Sequence, residues 1–123
     1  MTDITRIATP LPVPFSKTVK AGGFVFLSGQ LAMGPDARII NGDITAQTRF
    51  VLERIAASLT EAGASMSQVV RATVWLRDLS HFAEFNVEYA RHFSQGLPTR
   101  STVQAELYGS ALVEIEVQAY IGS

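Results

Sequence analysis

The chain has 123 residues, ten basic and eleven acidic side chains for a net charge of -1, and a hydrophobic content of 47%. That length fits one domain, 1–123, and the balance rules out a disordered chain and lacks the basic block on which nucleic-acid binding relies. There is no cysteine, so disulfides and thiolate chemistry are excluded, and a charged fraction of only 17% points to surface hidden against partner subunits.

Residues 1–14 carry Pro10, Pro12 and Pro14 and are expected to be extended, since proline opposes helix at its own position and the one before. The opening Met-Thr-Asp-Ile-Thr-Arg has no apolar signal-peptide core and no later run is long enough to cross a bilayer, so the expected location is the cytoplasm, without membrane partners. Phe15 to Lys20 and Phe24 to Ser28 read as strands joined in a hairpin at Ala21-Gly22-Gly23. Gly29-Gln30 breaks the second strand, Gly34-Pro35-Asp36 marks a turn, and Ile39-Ile40 forms a short strand.

A helix runs from Asp43 to Ala62, with Ile44, Thr48, Val51, Ile55, Leu59 and Ala62 on one face, Asp43 as N-cap and Gly63 as the stop. Val69 to Arg77 alternates as a strand, with Val70, Ala72, Val74 and Leu76 facing one way and Arg71, Thr73, Trp75 and Arg77 the other. Ser80 caps a second helix from His81 to Ser94, whose apolar face is Phe82, Phe85, Tyr89 and Phe93. Two strands close the chain. In 97–107, Arg100, Thr102, Gln104 and Glu106 share a face; in 111–121, Ala111, Val113, Ile115, Val117, Ala119 and Ile121 form an apolar face opposite Glu114, Glu116 and Gln118. The pattern predicts an α+β fold, with two helices on one face of a single sheet.

The polar strand positions carry the chemistry. The planar fork of Arg100 matches a carboxylate, although the same guanidinium serves a surface ion pair equally well. Glu114 or Glu116 could place a water, and spacing does not choose between them. Asn86 lies among apolar helix positions and needs a polar partner. Arg100, Thr102, Glu114 and Glu116 are expected on one mixed sheet face of the kind that meets another subunit. If the last two strands form a hairpin about Gly109, Gln104 lies opposite Glu114 and Arg100 is roughly 13 Å further along. His81 and His92 have no recognisable metal-site spacing, and no metal site is expected.

Several segments taken together resemble the RidA/YjgF family of enamine/imine deaminases. They are Pro14-Phe15-Ser16, the run from Ala21 to Gln30, Gly42-Asp43-Ile44 with Gln47-Thr48-Arg49, Val69 to Val74, Phe82 to Asn86 with Tyr89, Pro98-Thr99-Arg100-Ser101 and Val113 to Glu116. The resemblance implies a chorismate-mutase-like fold and a homotrimer with clefts between subunits. It implies hydrolysis of 2-imino or enamine acids to 2-oxo acids and ammonia, with no metal or organic cofactor. By the same resemblance, Arg100 binds the substrate carboxylate, Glu114 holds the attacking water, and Ser28 and Gly29 line the pocket.

Two positions depart from the archetypal deaminases: Phe15 stands where they carry tyrosine, and Thr102 where they carry cysteine. Phe15 is expected to shift preference toward apolar or larger side chains, because a phenyl ring leaves a polar substrate group unpaired. The same departures leave open a small-carboxylate-binding module without turnover, and a deaminase of another amino-substituted acid of the aminomuconate type.

Overall fold

The structure is a computed structural model describing residues 3–122. Its strands are β1 (Ile4–Ala8), β2 (Ser16–Ala21), β3 (Phe24–Leu27), β4 (Gln30–Leu31), β5 (Val69–Leu76), β6 (Thr99–Gln104) and β7 (Val113–Tyr120), with helices α1 (Ile44–Glu61) and α2 (Phe82–Arg91). One sheet has the order β1-β2-β3-β7-β5-β6, with β4 also on β7. Both helices lie on one face of it, as the hydrophobic pattern predicts.

The β2–β3 hairpin forms at Gly22-Gly23, where both residues have positive φ (59° and 84°), a conformation in which a Cβ is strained. The next strand to pair is distant in sequence. Strand β7 occupies the middle of the sheet, antiparallel to β3, β4 and β5. Its odd-numbered residues Val113, Ile115, Val117 and Ala119 are completely buried against the helices. Each fully buried valine or isoleucine there contributes about 1.5–3 kcal/mol of apolar transfer. Helix α1 meets this core with Val51, Leu52, Ile55 and Leu59, all at zero exposure.

The local signals for α1 hold. The Asp43 carboxylate accepts from the Ala46 N–H at 2.9 Å, and the helix stops before Gly63 at φ 84°. The start of α2 differs from the expectation. A 3-10 turn over Leu79–His81 precedes it, and Asp78, not Ser80, is the capping side chain, accepting from Ser80 N–H at 2.9 Å. Helix α2 ends at Arg91, short of Ser94.

One further expectation is sharpened and three change. The proline-marked N-terminus includes a true strand, β1, paired with β2 ahead of the prolines. In β5 a register shift between Val69 and Arg71 leaves Val70 43% exposed and gives the buried slot to Val69. The last two strands are not a hairpin: β6 pairs in parallel with β5, so β5 separates it from β7. The connection between them is held by two side chains. Arg77 donates to the carbonyls of Leu107, Gly109 and Ala111 at 2.6–2.8 Å, and buried Gln47 accepts from Leu112 N–H at 2.8 Å. The predicted short strand at Ile39-Ile40 is a single bridge from Ile39 to Met33.

Between the helices, Glu88 is buried yet bound by Arg49, Arg91 and His92 at 2.8–3.4 Å. Burial alone would raise its pKa, but hydrogen bonds from Arg49 and His92 with their charges outweigh that and hold the carboxyl below its ordinary range.

Candidate functional site

Arg100 and Glu114 lie on opposite faces of the sheet. Register decides this: Arg100 is opposite Ala72, which is opposite the buried Val117, so Arg100 belongs to the helix-covered face. Glu114 is opposite Trp75, which is opposite Val103, and these belong to the open face. The expectation of one shared polar face is corrected accordingly. Parity within each strand is right, but the parallel β5–β6 pairing puts the even positions of β6 on the face that the odd positions of β7 occupy.

The Arg100 group stands on the edge strand β6 and is completed by α2. Its Nη2 donates to Asn86 Oδ1 at 2.7 Å, giving Asn86 the partner its position demanded. Three rings surround the guanidinium, with centroids at 5.5 Å for Phe82, 5.2 Å for Phe85 and 4.8 Å for Tyr89. A guanidinium against aromatic faces is held by cation–π attraction while remaining weakly hydrated. One turn of helix separates these side chains, so a single face of α2 delivers all of them. Thr102 lies two residues along β6 on the same face. Asn86, Tyr89, Leu97, Pro98 and Arg100 line a shallow concavity here. The Tyr89 hydroxyl is buried without a partner among the described residues; burial raises its pKa, against the opposing charge of Arg100.

The second group forms where β3 gives way to β4. Gly29 sits between them, and a Cβ built on it would come within 2.3 Å of Glu114 Oε2. A side chain at this position would make the Glu114 carboxylate shift from where it lies. Ser28 is fixed by its own hydroxyl, which donates to Ser16 O at 2.6 Å, and by its N–H to Lys17 O at 3.2 Å. Phe15, just ahead of β2, is 53% exposed, so its ring is available to something outside the core. Burial, with the neighbouring charge of Glu116 added, pushes the Glu114 carboxyl above its ordinary range. The close approach of Gly29 singles out Glu114, which the strand pattern could not do.

The structure thus sorts the expected residues into two groups. Arg100, Asn86 and Thr102 are in one; Phe15, Ser28, Gly29 and Glu114 are in the other. Phe82 and Tyr89 read in the sequence as apolar helix residues only; their i, i+3 and i+7 spacing about Phe85 was the available signal, but nothing in it named Arg100 as their partner.

A single mixed sheet under two helices, with ligand-type residues at a sheet edge and at a strand break, defines a class of small α+β proteins. The profile of the family described as Endoribonuclease L-PSP matches residues 7–121. A RutC family protein of Pyrococcus abyssi is 42% identical over 114 residues, 90% of each chain. The protein MMF1 of Saccharomyces cerevisiae, named as mitochondrial, is 36% identical over 116 residues, 94% of this chain and 80% of that one. The crystal structure of YyfA from Yersinia pestis, a member of the Rid protein family, superposes with a TM-score of 0.90 at 34% identity, covering 97% of this chain and 100% of that one. The chain belongs to the RidA/YjgF family. No helix among the described residues is long and apolar enough to cross a membrane.

Proposed function

We propose that the protein is a cofactor-independent deaminase that hydrolyses 2-imino and enamine acids to 2-oxo acids and ammonia. It acts as a homotrimer with its sites between subunits. The observation that carries this reading is the division just described: an arginine held by an amide and three rings on a sheet edge, and a carboxylate against Gly29 on the other face of the same sheet. One copy cannot close both around a small molecule, whereas two copies can, with the Arg100 group of one meeting the Glu114 group of the next. The open sheet face supports assembly, since Phe24, Phe26, Val103 and Tyr120 are 37–47% exposed on it.

The chemistry follows from these groups. Arg100 takes the substrate carboxylate bidentately, with Asn86 and the three rings fixing its plane. The enamine tautomer is first protonated at carbon, which gives the protonated imine. Glu114 accepts a proton from a water as that water's oxygen bonds to the imine carbon, giving a tetrahedral amino alcohol. That proton passes to nitrogen, the C–N bond breaks as the hydroxyl gives its own proton back to Glu114, ammonia leaves and the carbon keeps its oxygen as the 2-oxo acid. An imine carbon is already electrophilic, so holding the carboxylate and one water supplies most of the rate by proximity. A carboxyl with a raised pKa is the better base, and exchanges its proton nearer neutrality.

The test is decay of 2-aminoacrylate or 2-iminobutanoate generated in situ, followed by absorbance. Acceleration over buffer that disappears in Arg100→Ala is expected; decay at the buffer rate would sink the proposal. Phe15 and Thr102 favour a second reading, a binding module without turnover. Arg100-dependent binding of 2-oxo acids with no imine hydrolysis would select it. Several relatives carry the name endoribonuclease; the net charge of -1 supports a small-molecule substrate over RNA.

A further inference from the structure

A cleft of about 260 Å³ opens beside Ser28 and Gly29, between the segment leading into β2 and the turn after β4. Its walls are largely apolar: Pro10, Leu11, Phe15, Leu31, Met33 and Pro35. Two cations border it, Lys17 and Arg54, and both are already engaged. Lys17 Nζ pairs with Glu61 Oε1 at 2.8 Å, and Arg54 donates from Nη1 to the Met33 carbonyl. The turn that forms one wall is pinned from within. Gly34 and Arg38 are bonded N–H to carbonyl at 2.9 Å, and Ala37 is the only non-glycine described residue with a positive φ, 63°. Backbone strain of this kind persists where surrounding structure holds it. The Asp36 carboxylate, accepting from Arg38 N–H at 3.1 Å, and the Ala37 N–H, donating to the Gly34 carbonyl at 3.0 Å, hold it here.

From this we infer that the cleft is a side-chain subsite, and that it selects imino acids with medium to large apolar side chains, of leucine or phenylalanine size. This rests on the deaminase reading and adds the substrate class to it. The cleft is continuous with Ser28, Gly29 and Phe15, so a ligand whose reacting carbon lies beside Gly29 projects its side chain toward Leu11 and Met33. A water occupies about 30 Å³ of liquid, so the volume takes several waters or one such side chain. Releasing those waters from apolar walls favours the apolar occupant. An acidic side chain gains little, because the nearby cations have partners they would have to leave.

Binding of 2-oxo acids, read by calorimetry on the assembled protein, tests this without turnover. The probes are pyruvate, 4-methyl-2-oxopentanoate, phenylpyruvate and 2-oxoglutarate. The two apolar acids are expected to bind about tenfold or more tighter than pyruvate, as discrimination by an apolar pocket allows. Leu11→Trp, which fills the cleft from an exposed position, should erase that advantage and leave pyruvate affinity and the melting temperature unchanged. Leu11→Ala should keep the rank order with a smaller gap. Pyruvate binding as tightly as the apolar acids overturns the inference, and so does 2-oxoglutarate binding tightest, which would make Lys17 and Arg54 acid readers. If no acid binds, pyruvate included, the deaminase reading fails and this inference with it; if pyruvate alone binds, only the subsite fails.

Discussion

The Arg100 region and the Glu114 region hold their charged groups by different physics. Arg100 is a long, flexible cation made rigid by side chains: one amide acceptor and three rings on a neighbouring helix. Glu114 needs no such cage, because it stands on the central strand β7 and the backbone of Gly29 closes against it. The first is built by addition of side-chain matter, the second by its absence. Damage should therefore follow opposite rules: removing atoms harms the Arg100 side, and adding atoms harms the Glu114 side.

The largest expected effect comes from Arg100→Ala. Loss of a bidentate, charge-assisted contact should weaken carboxylate binding by about 2–4 kcal/mol and abolish turnover, while circular dichroism and melting stay near wild type. Co-refolding Arg100→Ala with Glu114→Gln sharpens the comparison. If the two groups act across a subunit boundary, mixed trimers regain activity in on the order of a quarter of the sites. Mixtures as dead as either parent would place both groups of a working site in the same copy.

Gly29→Ala should come next. A Cβ at 2.3 Å from Oε2 must push the carboxylate away, so kcat is expected to fall by about 10- to 100-fold with a smaller change in ligand affinity. Equal activity of the alanine variant would show that the carboxylate does not need its present position.

Glu114→Gln should lower turnover more than affinity, because water placement matters chiefly in the transition state. It also has a signature in stability. Since folding raises the Glu114 pKa, its ionised form costs stability above that pKa, and the cost disappears as pH falls through the folded value. The glutamine variant should therefore be more stable than the parent at neutral pH and lose that advantage on acidification. Denaturant midpoints across pH read this, and a pH-independent difference would contradict the assignment. Glu88, whose pKa is lowered, has the reverse sign: its stabilisation is present above the unfolded carboxyl pKa and is lost as pH falls through the folded one.

The smallest effect is expected at Phe82, which is 43% exposed and so separable from the core. Phe82→Leu should weaken carboxylate binding by about 0.5–1 kcal/mol, and Phe82→Trp should restore it, because an exposed cation–π contact is of that size. Loss of thermal stability without loss of binding would assign Phe82 to packing alone.

The amino-acid sequence by itself determined the elements and their inward faces. The 3.6-residue spacing from Ile44 to Leu59 and the alternation from Val113 to Ala119 are local consequences of burial, and both are buried as spaced. It also marked Arg100, Asn86, Glu114, Ser28 and Gly29 as residues to watch, through the family resemblance more than through spacing. What tertiary structure alone decided was strand order. Nothing near Arg100 says that β6 runs parallel to β5, or that β5 separates it from β7. Parity tells which side chains of one strand share a face, but register between strands is fixed by long-range packing. That placement turned two residues expected on one face into two groups on opposite faces, and made Phe82 and Tyr89 neighbours of a guanidinium from which they are separated by a turn and the start of a strand.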